Sequence, residues 1–101
     1  SPKRCQLGMR LERPRGDELV ARVASVEEGS AAAVAGLQAG DEIVAIGGKR
    51  LEFDSRQKLK AFDMALRTSF NEGAIFTITV KRKAAEADGE PAEIDLRIVA
   101  K

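Results

Sequence analysis

Two segments near the C-terminus alternate apolar and polar residues, and they constrain the fold more than any other feature of the sequence. The apolar members are Phe76, Ile78 and Val80 in residues 74–82, and Ile94, Leu96 and Ile98 in residues 93–100. A period of two is typical of a strand with one face on a core. The polar stretch 84–91 between them carries Gly89 and Pro91. The two segments are therefore predicted to pair as a long antiparallel hairpin.

The rest of the chain is predicted to form shorter strands and two helices. The strands are residues 6–13, 18–26, 42–46 and 49–51, and the helices are residues 30–36 and 54–68. Ser30 is a favoured N-cap and Gly36 a favoured C-terminal stop for the first helix. In the second helix Leu59, Phe62 and Leu66 share one face, and Lys60, Asp63 and Arg67 occupy the opposite side. The predicted fold class is α+β, mainly β, a partly open antiparallel barrel or sandwich of five to six strands with two helices.

Size and charge exclude several classes of partner. The 101 residues suit a single domain over 1–101. Apolar residues make up 44% of the chain, and 17 basic and 16 acidic residues leave a net charge of +1. A globular chain whose net charge produces no strong electrostatic field is not expected to bind nucleic acid or a membrane surface. All four aromatic residues are Phe, which argues against a base-stacking platform.

The composition also argues against catalysis and metal binding. The chain has no histidine, and Cys5 is its single cysteine. Zinc sites and Ser-His-Asp or Cys-His nucleophile systems depend on those residue types. We therefore expect no catalytic residue, no metal and no cofactor, and we interpret Cys5 as an incidental thiol.

A glycine-punctuated run in the middle of the chain resembles a known family. Residues 29–48 read GSAAAVAGLQAGDEIVAIGG, which is similar to the central signature of PDZ domains. Ala31 stands where proline is frequent in that family, and Gly47 where Asn or Asp is common. The residues of this run have mostly structural roles, and Asp41 is expected to hydrogen-bond to nearby backbone amides. The run thus identifies a fold and does not itself perform the function.

The resemblance implies that the functional loop lies upstream. PDZ domains have a Gly-Leu-Gly-Phe-like loop whose backbone amides converge on the terminal carboxylate of a peptide. The corresponding residues here are Gln6, Leu7, Gly8 and Met9, with glutamine in place of the first glycine. The amides of Leu7, Gly8 and Met9 would be the donors. The alternative is that these residues are an ordinary entry into a strand.

The same resemblance implies that a peptide adds as a strand between residues 9–12 and the long helix. Leu11, Leu59 and Phe62 are the candidate groove residues, with core packing as the alternative for the two helix residues. Ser/Thr-selective members of the family carry a histidine at the start of this helix, so an apolar last residue is expected here. The expected partners are peptide or protein C-termini, and the chain is expected to be a monomer. Lys3 and Arg4 either attract the carboxylate or are simply solvated.

The order of the strands suggests a subtype. Few residues precede Gln6 and a long strand closes the chain, so the C-terminal strand is predicted to complete the sheet. Such a circular shift resembles bacterial PDZ domains attached to proteases: high-temperature-requirement serine proteases, C-terminal processing proteases and glycyl aminopeptidase-like metallopeptidases. The resemblance is closest to the third group. It implies a peptide-binding module that regulates, or presents substrate to, a periplasmic or membrane-associated parent protease.

Two other functions remain open at this point. The first is a docking domain whose groove is closed or vestigial. The second is a hydrolase that uses carboxylates alone, drawn from Asp17, Glu18, Glu27 and Glu28, because paired carboxylates can perform acid–base chemistry. Exposed acids in turns are usually solvated surface, so this second alternative is the weaker one.

Overall fold

The computed structural model describes residues 3–101, and within them the chain is mainly β with two helices. The strands are β1 (Arg4–Cys5), β2 (Met9–Leu11), β3 (Ala21–Val26), β4 (Glu42–Ile46), β5 (Lys49–Arg50), β6 (Phe70–Asn71), β7 (Ile75–Arg82) and β8 (Ala92–Val99). The helices are α1 (Ala31–Ala35) and α2 (Arg56–Thr68). This confirms the predicted α+β class. Residues 1 and 2 of the predicted domain lie outside the described residues.

The main sheet is antiparallel and does not close into a barrel. Its order is β2-β3-β4-β7-β8, and β5 pairs with β4. The β7–β8 ladder runs from the pair Ile75 and Val99 to the pair Arg82 and Ala92, which confirms the predicted hairpin. The C-terminal strand β8 therefore completes the sheet at one edge, and β2 forms the other edge.

A small second sheet lies beside the first. In it β1 pairs antiparallel with β6, Arg4 opposite Asn71 and Cys5 opposite Phe70. The Phe70 ring stacks on Phe76 with ring centroids 4.7 Å apart, which joins this sheet to β7. Neither strand was predicted, because two residues are too few to show a period. The pairing holds the chain in place just before the loop 6–8.

Strands β2 and β3 are shorter than predicted. Residues 6–8 are a loop, and the ladder of β2 with β3 shifts register between Arg10 and Leu11. Such a bulge bends an edge strand and re-aims its side chains. At the other end of the β2–β3 connection, residues 18–20 also lie outside regular structure. Alternation in the sequence does not distinguish an extended loop from a paired strand.

Each helix begins after a serine N-cap, and for α1 this is the predicted Ser30. The Ser30 side chain accepts a hydrogen bond from the Ala33 amide, and Gly36 ends α1 with a left-handed φ of 97°. Ser55 caps α2, and Leu59 and Leu66 are buried on its inner face. No helix among residues 3–101 is long and apolar enough to span a membrane. The short α1 persists because Ala31 and Ala32 are packed in the core.

The core lies between the main sheet and the two helices. Its largest fully buried apolar side chains are Leu7, Ile43, Ile78, Ile98, Val23 and Val80. Asp41 is also buried, with 2% of its surface exposed, and it accepts hydrogen bonds from the Gln38 amide and from Arg82. The bond from Gln38 confirms the predicted role of Asp41. The hydrogen bond to Asp41 also raises the pKa of Arg82 above its ordinary value.

Candidate functional site

An open groove of about 570 Å³ lies between the edge strand β2 and the helix α2. Its β2 side is lined by Arg10, Leu11, Glu12, Arg13 and Pro14, and its α2 side by Arg56, Leu59, Lys60, Asp63 and Arg67. A sheet edge facing a helix across such a space can accept an additional extended chain.

The backbone of β2 presents hydrogen-bonding groups to this groove. The Gly8 carbonyl accepts from the Glu27 amide at 2.7 Å, and the Glu12 amide donates to the Arg22 carbonyl at 2.7 Å. In an antiparallel pair, residues next to such bonds point their own N–H and C=O groups away from the partner strand. Met9 and Leu11 therefore direct their backbone groups towards α2, where the sheet has no further strand.

The loop 6–8 is held from behind through its carbonyl groups. The Leu7 carbonyl accepts from the Ala32 amide at 2.9 Å, which satisfies a free donor in the first turn of α1. The Gly8 carbonyl is tied to Glu27, as described above. The amides of Leu7 and Gly8 donate no hydrogen bond within residues 3–101. This arrangement fixes the loop and leaves consecutive N–H groups available, which is how backbone anion sites are built.

Gly8 allows the close approach on which this loop depends. Its φ is +84°, and an added Cβ would come within 2.2 Å of the Ser30 Cβ. Residues with a side chain rarely adopt that φ, and the Ser30 side chain already fills the space behind Gly8. The loop therefore requires glycine at this position for two independent reasons.

The side chains of the loop have different roles from one another. Leu7 is buried, with 1% of its surface exposed, and belongs to the core cluster. Met9 is half-buried and packs against that cluster, and Gln6 is exposed. Leu7 thus anchors the loop in the core, and Met9 is the half-buried apolar side chain that directly follows the loop.

The structure brings two of the three predicted groove side chains to the groove. Leu11 and Leu59 line it, although Leu59 is 3% exposed and is mostly a core residue. Phe62 is not among the lining residues, and its ring packs on Phe53 with centroids 5.3 Å apart. The apolar face of α2 is therefore turned more towards the core than towards the groove.

Charged side chains of α2 form most of its side of the groove, next to Leu59. Five cationic and two anionic side chains line the groove, in a chain whose net charge is only +1. The prediction that Lys60, Asp63 and Arg67 lie opposite the apolar face is wrong, because they line the same groove as Leu59. Around a helix these positions are only about 40–100° from position 59. Arg56, Lys60, Asp63 and Arg67 follow one another at intervals of three or four residues. That spacing was the sequence signal that they share one side of the helix.

The two cations near the N-terminus are not placed as a carboxylate clamp. The Arg4 guanidinium donates to the Thr68 carbonyl at 3.2 Å, at the last turn of α2. Lys3 is exposed. A cation at a helix C-terminus stabilises the free carbonyls there, so Arg4 has a structural role.

The carboxylates considered for catalysis are not assembled into a site. Glu18 pairs with Arg22, and Asp17, Glu27 and Glu28 are exposed. Within residues 3–101, no group of three or more His, Cys, Asp or Glu side chains is placed to hold a metal ion.

The comparisons with known proteins give one family. A family model described as "PDZ domain" matches residues 22–82, more than half of the chain. The match extends from β3 to the end of β7 and contains both helices, whereas β2 and the loop 6–8 precede it. No curated protein matches the chain.

Proposed function

Since the chain belongs to the PDZ domain family and is therefore a module for peptide or protein interaction, we propose that it binds a peptide C-terminus in the groove between β2 and α2. The peptide adds to the sheet as a strand antiparallel to β2, using the outward backbone groups of Met9 and Leu11. The observation that carries the proposal is the open edge of β2 facing α2 across a groove of about 570 Å³.

The terminal carboxylate binds at the loop, to the amides of Leu7, Gly8 and Met9. The proposal is supported by the two unpaired amides of Leu7 and Gly8 in the part of the chain that the structure describes. Hydrogen bonds from several amides to one carboxylate are charge-assisted and stronger than neutral ones. Gln6 is exposed and precedes the donors, so its side chain is free to turn towards solvent when a ligand binds.

The last side chain of the ligand is apolar. Met9 is the half-buried side chain next to the loop, and Leu11 and Leu59 follow along the groove. The first residue of α2 is Arg56, and the chain has no histidine to accept a Ser or Thr hydroxyl. Phe62 does not take part in this proposal, because it packs on Phe53.

The domain acts within a longer protein, where it regulates a protease or presents substrate to it. This role is supported by the position of β8, which completes the sheet from the C-terminal end, as in the protease-associated domains that the sequence resembles. PDZ domains are generally binding modules without catalytic activity. A docking domain with a closed groove is the second candidate, and the open space between β2 and α2 favours the first.

Amidation of the ligand tests the proposed carboxylate site. We expect a peptide ending in valine to bind with a micromolar dissociation constant. Its C-terminal amide should bind at least about 10-fold more weakly, because each charge-assisted hydrogen bond contributes about 1.5–3 kcal/mol. Isothermal titration calorimetry of the two peptides measures the difference, and acetylation of the peptide N-terminus is the matched control. Equal affinity of the acid and the amide would contradict the carboxylate site.

A further inference from the structure

We propose that the groove selects C-terminal peptides with acidic residues just upstream of the last residue. This inference rests on the proposed function and adds the chemistry of the ligand. Its basis is the electrostatic surplus of the groove, which carries five cationic and two anionic side chains although the whole chain is nearly neutral. Charges gathered in a cleft favour a ligand of opposite sign.

Three of the cations are free to meet a ligand. Arg10, Arg13 and Lys60 are exposed, and their side chains form no hydrogen bond or ion pair within residues 3–101. Of the other two, Arg56 donates to the Gly16 carbonyl at 2.7 Å, and the Arg67 guanidinium lies 3.5 Å from the Asp63 carboxylate. The three free cations are therefore the ones assigned to the ligand.

Each of the two anions of the groove has a cationic residue beside it. Asp63 pairs with Arg67 on the same face of α2. Glu12 lies opposite Arg22 of β3, whose carbonyl accepts from the Glu12 amide at 2.7 Å. The pKa of Arg22 is raised chiefly by its hydrogen bond with Glu18, and the charge of Glu12 adds to that rise. The charge presented to a bound strand is thus mostly that of Arg10, Arg13 and Lys60.

The direction of the bound strand places acidic residues beside these cations. A peptide antiparallel to β2, with its carboxylate at the loop 6–8, passes Arg10 first and Arg13 further upstream. Lys60 borders the same groove from α2. Because neighbouring side chains of a strand point to opposite faces, consecutive acidic residues can approach both the β2 cations and the helix cation.

The test compares two matched peptides. The first ends in Glu-Asp-Glu-Val, and the second in its uncharged counterpart Gln-Asn-Gln-Val. At low ionic strength we expect the acidic peptide to bind about 5- to 20-fold more tightly, from up to three exposed ion pairs. The advantage should fall to about 2-fold or less in 0.5 M salt, because salt screens exposed charges. Fluorescence anisotropy of both peptides on the same protein measures the ratio.

Charge variants identify the residues responsible. The triple variant Arg10→Gln, Arg13→Gln and Lys60→Gln should lose the preference, so that the acidic and the uncharged peptide bind to it with equal affinity. Arg97→Gln, on the distant strand β8, is the matched control and should keep the preference. Retention of the preference by the triple variant would overturn the inference.

Three further outcomes separate this inference from the proposed function. If both peptides bind equally at low salt, the inference fails and the proposed function stands. If neither peptide binds, both fail. If the amidated acidic peptide binds as tightly as its free acid, the attraction is general to polyanions, and a groove-specific preference is overturned.

Discussion

Replacing Gly8 with alanine is expected to lower the free energy of unfolding by about 3 kcal/mol and to remove measurable peptide binding. At the left-handed φ of +84°, a residue with a side chain loses about 1–2 kcal/mol of stability relative to glycine. The added Cβ would also meet the Ser30 Cβ at 2.2 Å, and relief of such an overlap typically costs 1–3 kcal/mol. Because relief moves the backbone that carries the amides, binding is lost together with stability. Chemical denaturation and peptide titration measure the two effects.

Two variants separate the effect of the positive φ at Gly8 from the effect of the overlap with Ser30. Gly48 has a φ of +80° and no neighbour within 4 Å of an added Cβ, so Gly48→Ala should cost about 1 kcal/mol and leave binding intact. Adding Ser30→Gly to Gly8→Ala removes the overlapping atom and should restore part of the stability, since glycine is an acceptable N-cap. If Gly8→Ala and Gly48→Ala lower the free energy of unfolding equally, the contact of the added Cβ with Ser30 does not destabilise the protein, which would contradict this account.

Asp41→Ala is expected to be comparably destabilising, by about 3 kcal/mol. The carboxylate is buried and accepts from Arg82 Nε at 2.9 Å, from Arg82 Nη2 at 2.8 Å and from the Gln38 amide at 2.9 Å. Removing one partner of a buried ion pair costs about 3–5 kcal/mol. The lower end applies here because the Arg82 side chain is 25% exposed and keeps its bond to the Gly36 carbonyl. Thermal and chemical denaturation measure the loss.

The pair of Arg50 with Glu93 is the matched control. It has the same two-bond geometry, at 2.9 and 3.1 Å, but both side chains are exposed. The hydrogen bond from Arg50 lowers the pKa of Glu93, so any stabilisation by this pair is lost as the pH falls through that lowered pKa. Glu93→Ala should change stability far less than Asp41→Ala. Equal changes would contradict the role of burial.

The elements predicted correctly were those whose signal is local. The β7–β8 hairpin follows from alternation alone, because one face of each strand lies on the core. Ser30 and Gly36 were identified as the ends of α1 because capping depends on the residue type and its near neighbours. Leu59 and Leu66 were placed on one face of α2 by their spacing, and both are buried.

The features that sequence reasoning missed depend on contacts between distant segments. Strands β1 and β6 are two residues each, and they exist only because the chain returns beside its own start after α2. The rotation of α2 about its axis is likewise set by packing, so helix periodicity alone did not separate Phe62, which meets Phe53, from the residues that line the groove.

The glycine-rich central segment contributes to the site indirectly. The Ala32 amide in α1 holds the Leu7 carbonyl, and Ser30 fills the space behind Gly8. Residues of the segment 29–48, which carries the resemblance in the sequence, thus support the loop from behind and do not line the groove. For this reason the loop could be proposed only from its spacing to that segment.

The most direct test of strand addition to β2 is an amide NMR titration of the isotope-labelled chain with a peptide ending in valine. The signals of Leu7, Gly8, Met9 and Leu11 are predicted to shift with the free acid. The shifts of Leu7 and Gly8 should be largely lost with the C-terminal amide. Amides of β8, the opposite edge of the sheet, should stay unchanged. Shifts confined to β8, or none at all, would contradict a peptide site between β2 and α2.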